Sequence, residues 1–279
     1  GTGGTGVYSY DLRDGGNTTT LASNGTGIFS SLSAGSYRVR VTDVNLCTIT
    51  SGVVTVVEPV QVSAGTTVSS YNGFNIRCTG GNDGFIEVTA AGGVGNYTFT
   101  LGGAAVGVQT QPGAVYRFNN LVAGAYTVDV EDSNGCTIVA TLNITLTEPS
   151  LLTASSVVDI LYNGSEVSCF GAVDGQITVT AVGGSGGNSY VLNEVPANVT
   201  GAASGVFTGL GAGSYTVTVT NSNSCVVTTT SVVIDNPPAI GVSVSKTDIS
   251  CNGVGDGVVT GIGTGGTGVY SYDLRDGGN

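Results

Sequence analysis

The segment Leu-x-Ala-Gly-x-Tyr occurs three times, at Leu32–Tyr37, Leu121–Tyr126 and Leu210–Tyr215, with successive spacings of 89 residues. Phe29, Phe118 and Phe207 precede these segments in the same register. Each copy runs into an alternation of apolar and polar positions, such as Tyr126-Thr-Val128-Asp-Val130, which predicts a strand with one buried face. A second segment, Cys-x-Gly-x-x-Asp-Gly, recurs at Cys78–Gly84, Cys169–Gly175 and Cys251–Gly257. A further strand follows each of these, then a Gly-Gly turn and an aromatic strand read as Tyr97-Thr-Phe99, Tyr190-Val-Leu192 and Tyr270-Ser-Tyr272. Each unit of about 87 residues thus holds roughly seven short strands separated by Gly, Asn and Asp turns, which suits an immunoglobulin-like sandwich.

A longer repeat overlies the shorter one. Residues 263–279 copy residues 1–17 letter for letter, an offset of 262. The expectation is one period of a tandem array plus a short overlap, with function carried by repetition. The units divide as 1–58 (strands C to G), 59–148, 149–237 and 238–279 (strands A to C). Glu58-Pro59, Glu148-Pro149 and Pro237-Pro238 fall at the junctions, where proline stiffens the chain without interrupting a ladder. The expected architecture is all-β: tandem immunoglobulin-like β-sandwiches stacked end to end into a filament.

Composition removes several function classes. The chain has no His, Trp or Met, its only lysine is Lys246, and 9% of its residues are charged. The commonest general base and metal-binding side chain are therefore absent, and an enzyme is not expected. A net charge of −12 without a basic stripe disfavours nucleic acid. No apolar run in this segment is long enough to span a membrane. Collagen is excluded, because the 47 glycines have no three-residue period.

The pattern Cys251-Asn-Gly-Val-Gly-Asp-Gly257, continued through Gly265-Gly-Thr-Gly-Val-Tyr-Ser-Tyr272, resembles the SprB repeat of large surface adhesins of gliding and related Bacteroidota. Leu121-Val-Ala-Gly-Ala-Tyr126 and Asp132-Ser-Asn-Gly-Cys136 resemble a downstream part of the same family. Tyr190-Val-Leu192 departs by losing the second aromatic, and Asn221 stands where Asp is usual. The resemblance implies export to the bacterial cell surface and a role as adhesin shaft or motile filament.

Two cysteines per unit at fixed positions predict disulfides in an oxidising compartment. In a sandwich of this topology Cys78 precedes strand B and Cys136 follows strand F, at opposite ends of one unit. A bond between them would exceed the roughly 7 Å Cα separation a disulfide tolerates. The chain leaves one unit at its A–B end and enters the next at its F–G end. The pairs expected are Cys78 with Cys225, Cys169 with Cys47 of the following period, and Cys251 with Cys136 of the following period. Tyr37, Tyr126 and Tyr215 sit at the E–F corner and are expected to form tyrosine corners. Asp83, Asp174 and Asp256 approach the loops of Asp43, Asp132 and Asn221. That set is a candidate for Ca²⁺, against the simpler reading that each Asp-Gly is a turn. No other cofactor is expected.

The leading function is a structural and adhesive stalk whose partners are its own neighbouring repeats and a surface or glycan ligand. One alternative is a short subunit that polymerises by strand complementation. The other is a carbohydrate-binding module using the Tyr- and Asn-rich loops, which exposed aromatics would support, whereas Tyr8, Tyr97 and Tyr190 fit the core better.

Overall fold

Alternating apolar residues and frequent glycine turns give a chain built of strands. The computed structural model describes residues 2–195 and 197–277, and no helix occurs among them. Near the N-terminus β1 (Ser9–Asp14) pairs with β2 (Thr20–Asn24) and β3 (Gly35–Thr42), and β3 pairs in turn with β4 (Thr48–Thr50) and β5 (Val54–Val56). Among the described residues no second sheet lies over this one. Among its described apolar side chains Leu12 is the buried one, Val39 and Val41 are half-buried, and Phe29 lies in no strand.

The next seven strands form a complete sandwich: β6 (Ser63–Val68), β7 (Gly84–Ala91), β8 (Tyr97–Gly103), β9 (Gly107–Gln111), β10 (Val115–Leu121), β11 (Gly124–Asp132) and β12 (Leu142–Leu146). One sheet runs β10-β7-β6 and the other β12-β11-β8-β9. In immunoglobulin lettering β6, β7, β8, β10, β11 and β12 are A, B, C, E, F and G, with β9 added beside C. Ile86, Val88, Phe99, Leu101, Phe118, Val128 and Val130 meet between the sheets. Each such side chain contributes about 1.5–3 kcal/mol on burial.

A second sandwich comprises β13 (Ser150–Val158), β14 (Gly175–Gly184), β15 (Ser189–Leu192), β16 (Val206–Leu210), β17 (Gly213–Tyr215), β18 (Val217–Thr220), β19 (Val226–Thr228) and β20 (Val232–Ile234). Its sheets run β13-β14-β16 and β15-β18-β19, with β17 and β20 paired beyond. Its core gathers Ile177, Leu192, Phe207, Val217, Val219 and Ile234. No counterpart of β9 is found among the described residues between β15 and β16. Finally β21 (Gly241–Thr247) and β22 (Val258–Thr264) form an isolated antiparallel pair.

The register corrects one expected alignment. Phe99 lies opposite Val130 and Tyr190 opposite Val219. Tyr190 therefore holds the place of Phe99, and Leu192 that of Leu101. The place of Tyr97 falls to Asn188, one residue before Ser189, so this unit lacks the first aromatic rather than the second. Spacing, not residue type, carries the correspondence: Gly84 to Gly175 is 91 residues, and so is Tyr97 to Asn188.

At the E–F corner the tyrosine hydroxyl donates to the carbonyl four residues upstream in every copy. Tyr37 bonds Ser33 at 2.8 Å, Tyr126 bonds Val122 at 2.8 Å and Tyr215 bonds Gly211 at 2.9 Å.

Candidate functional site

Both cysteine-bearing loops are shaped by a carboxylate or amide. In the loop before strand B, the Asp of the Cys-x-Gly-x-x-Asp-Gly motif accepts the backbone N–H of the residue preceding the cysteine. The distances are 3.1 Å for Arg77 to Asp83, 3.1 Å for Ser168 to Asp174 and 3.0 Å for Ser250 to Asp256. A turn follows in which residue i+3 donates to the cysteine carbonyl: Gly81 to Cys78, Ala172 to Cys169 and Val254 to Cys251. The closing glycine is required by space. A Cβ on Gly84 would lie 2.6 Å from Ile76 Cδ1 and 2.8 Å from the Leu121 carbonyl. Ile76 is fully buried there, so the glycine lets the loop lie flat on the core.

The loop between strands F and G uses the same device. Asp43 Oδ1 accepts the amides of Asn45 and Cys47, Asp132 Oδ1 those of Asn134 and Cys136, and Asn221 Oδ1 those of Asn223 and Cys225. The second oxygen of Asp43 accepts from Thr5 N and that of Asp132 from Val94 N, tying the B–C loop to the same centre. Bonds from the amides of Cys47 and Cys136 head the causes that hold these two carboxyls below their ordinary pKa. Asp174 and Asp256 are lowered as well, chiefly by the Ser168 and Ser250 hydroxyls. Asn221 offers an amide where the others offer an oxygen, and its buried Nδ2 has no partner among the described residues.

One junction brings the two kinds of loop together. Cys78 of the first sandwich and Cys225 of the second form a disulfide with a Cα separation of 5.7 Å. Around it Asn72 Nδ2 donates to Ser222 Oγ at 2.9 Å and to Asn223 Oδ1 at 2.6 Å. The buried Asn223 answers through its Nδ2, donating to the Tyr71 and Arg77 carbonyls at 3.3 and 3.0 Å. Thr79 Oγ1 donates to the Pro149 carbonyl, and Gly80 N to Glu148 Oε2. Arg77 stacks 5.0 Å over the Tyr71 ring and reaches Asp83 at 3.3 Å.

Asn72 and Asn223 were not singled out from the sequence. A signal for the second exists: Asn45, Asn134 and Asn223 recur at 89-residue spacing, two positions before each F–G cysteine.

Cys47, Cys136, Cys169 and Cys251 are free and exposed. The five aspartates considered for Ca²⁺ each anchor a cysteine loop. Among the described residues no group of three or more His, Cys, Asp or Glu is placed to hold a metal ion. The tyrosines considered for glycan stacking are also employed. Tyr97 is buried beside Phe99 and its hydroxyl donates to the Gly92 carbonyl at 2.5 Å, while Tyr8 donates to Gly3. No helix among the described residues is long and apolar enough to cross a membrane.

The family described as the SprB repeat matches at two places, residues 74–106 and 162–196. Each match spans one cysteine loop with its Asp clamp and the strands that follow. No match is found among the curated proteins. Among solved structures the chain is similar to the C-terminal 282-residue fragment of intimin in complex with the translocated intimin receptor (Tir) intimin-binding domain. The identity there is 16%, the TM-score 0.35, and 67% of each chain is covered. Extracellular domains 3–5 of Drosophila OTK align at 15% identity and TM-score 0.25, over 82% of this chain and 85% of that one. The amphioxus IgVJ-C2 molecule aligns at 14% identity and TM-score 0.23, over 52% of this chain and 91% of that one.

Proposed function

We propose that this chain is a load-bearing length of the stalk of a repetitive bacterial surface adhesin, with SprB-type repeats as its links. The observation that carries the reading is the Cys78–Cys225 bond between two sandwiches. Pulled from its ends, the chain transmits force through β6 to Cys78, across the disulfide, and out from Cys225 through β19. The residues between form a closed loop of sequence separation 147 that tension bypasses. Unfolding inside that loop adds no length to the stalk. Hydrogen bonds of about 1 kcal/mol net each guard the orientation of the joint, and the covalent bond sets its limit.

The same pairing rule, carried along the 262-residue repeat, joins Cys169 to the next copy of Cys47 and Cys251 to the next copy of Cys136. Disulfides of this kind persist outside the cytoplasm, which agrees with export to the cell surface. Carboxylates committed to anchoring the cysteine loops and two packed apolar cores support a structural role over an enzymatic one. Adhesion, and gliding where the bearer glides, follow as the task of such a stalk.

The test is cellular. Antibodies against residues 59–237 should label intact producing cells, and deleting whole 262-residue periods should shorten the filaments in proportion and weaken attachment. Signal confined to lysed cells, or attachment indifferent to the deletions, refutes the reading.

A further inference from the structure

Three units set a tyrosine beneath the B–C loop in the same way. The hydroxyls of Tyr8, Tyr97 and Tyr270 donate to the carbonyls of Gly3, Gly92 and Gly265, each five residues upstream. In the second sandwich the matching positions are Asn188 and Gly183. The loop backbone is unchanged there. Gly92, Gly183 and Gly265 have φ of 77°, 83° and 70°. A Cβ on them would lie 2.1, 2.1 and 2.0 Å from the carbonyl oxygens of Gln61, Leu151 and Ala239 respectively. What differs is the side chain below, where a short carboxamide replaces a phenol.

The residue across the sheet differs too. Tyr97 lies opposite Asp132, and Asn188, one place beyond the Ser189–Thr220 pair, lies opposite Asn221. Asp132 Oδ2 and Asn221 Nδ2 hold the same place, each 2.5 Å from where a Cβ on Gly93 or Gly184 would sit. Asn221 is 4% exposed, and its Oδ1 accepts the Asn223 and Cys225 amides. Those two bonds fix which end of the amide is oxygen. The inner end is therefore a donor, beside Gly184 and across from Asn188. This Nδ2 and the buried Oδ1 of Asn188 both have no partner among the described residues. An unpaired donor and an unpaired acceptor thus occupy facing positions in the one unit that lacks the tyrosine.

We infer that Asn188 and Asn221 form a binding site for one internal water molecule, seated where the tyrosine hydroxyl sits in the other units. The water accepts from Asn221 Nδ2 and donates to Asn188 Oδ1 and to the Gly183 carbonyl. Buried waters typically make about three such bonds, and each needs roughly 30 Å³, less than the ring that is missing. The chemistry of the site selects this ligand. An anion would face two oxygens, and a cation would face the hydrogens of the Asn221 amide. A neutral molecule that both donates and accepts satisfies all three groups.

The water has a structural task. Asn221 carries the Cys225 loop on its outer oxygen, and the water braces the same side chain from within. In the first sandwich Asp132 is braced by the Val94 amide and Tyr97 by Gly92, with no molecule between them. The site belongs to the interior of one sandwich, so it stands or falls apart from the stalk reading.

Cross-relaxation between water and the ¹⁵N-labelled 279-residue chain is the test. The side-chain amide protons of Asn221 should show Overhauser peaks to water, in the laboratory and rotating frames, with the signs given by a water that stays bound while the chain tumbles. In Asn188→Tyr the ring and its hydroxyl take the place, and those peaks should vanish while Cys78–Cys225 still forms. Absence of the peaks in the parent would overturn the inference, and this reading decides even where the variant does not fold. Peaks that persist at full strength in a folded Asn188→Tyr chain would overturn it equally.

Discussion

Cys78 and Cys225, separated by 147 positions in sequence, are bonded with their Cα atoms 5.7 Å apart. The bond ties the loop before strand B of one sandwich to the loop before strand G of the next. Asn72 and Asn223 hydrogen-bond across that meeting.

Asn223 is the centre of the junction. Asn223→Ala removes the donors to the Tyr71 and Arg77 carbonyls and the acceptor of Asn72. At about 1 kcal/mol per hydrogen bond, the joint should loosen while both sandwiches keep their melting temperatures. Reduction of Cys78–Cys225 by dithiothreitol should quicken about tenfold. An unchanged reduction rate would show that the amide network does not guard the bond.

Gly84 is needed for close packing. Gly84→Ala places a Cβ against Ile76 and the Leu121 carbonyl and should destabilise the first sandwich by about 1–3 kcal/mol, the usual range for overpacking. Gly65→Ala, where a Cβ meets nothing within 4 Å, is the control and should be close to neutral. Urea midpoints of the two variants decide it.

Tyr126 combines a buried ring with a bonded hydroxyl. Tyr126→Phe keeps the ring and leaves the Val122 carbonyl without this donor, at a cost of about 1–3 kcal/mol. The urea midpoint should fall with the slope unchanged, the mark of altered stability rather than altered compactness.

Acid should act through the F–G loops. Asp132 is held below its ordinary value of 3.8, first by the Cys136 amide. A depressed native pKa gives stability that is fully present above the unfolded value and lost as pH falls through the folded one. The advantage of the parent over Asp132→Asn should therefore be constant from pH 7 to about 5 and shrink below about 4. In ¹H–¹⁵N spectra the Cys136 and Asn134 amides should titrate together, with a midpoint below 3.8. A midpoint at or above that value would contradict the assignment.

Local period made much of the fold legible. The tyrosine of Leu-x-Ala-Gly-x-Tyr and the valines after it announce strand F, because alternation and a glycine turn are properties of a few adjacent residues. The partner of Cys78 also followed from topology, since only one end of a neighbouring unit lies within reach. Other features depend on distant partners and leave no local mark. Ser9–Asp14 and Ser271–Asp276 have the same sequence, yet the first is strand β1 and the second is in no strand. The first lies beside β3, whereas among the described residues the second has no such neighbour, and a strand needs its ladder more than its propensity. The aspartates invited a metal reading for a related reason. Their partners are backbone amides, which no residue pattern displays.

Force spectroscopy reaches the central claim most directly. Pulled by its ends without reductant, the chain should release only the segments outside the Cys78–Cys225 loop as the two sandwiches yield. With reductant the same rupture should add the hidden loop of 147 positions, about 500 Å at roughly 3.4 Å per residue. Equal released lengths in the two conditions would show that tension runs through both sandwiches, and the load path proposed here would be wrong.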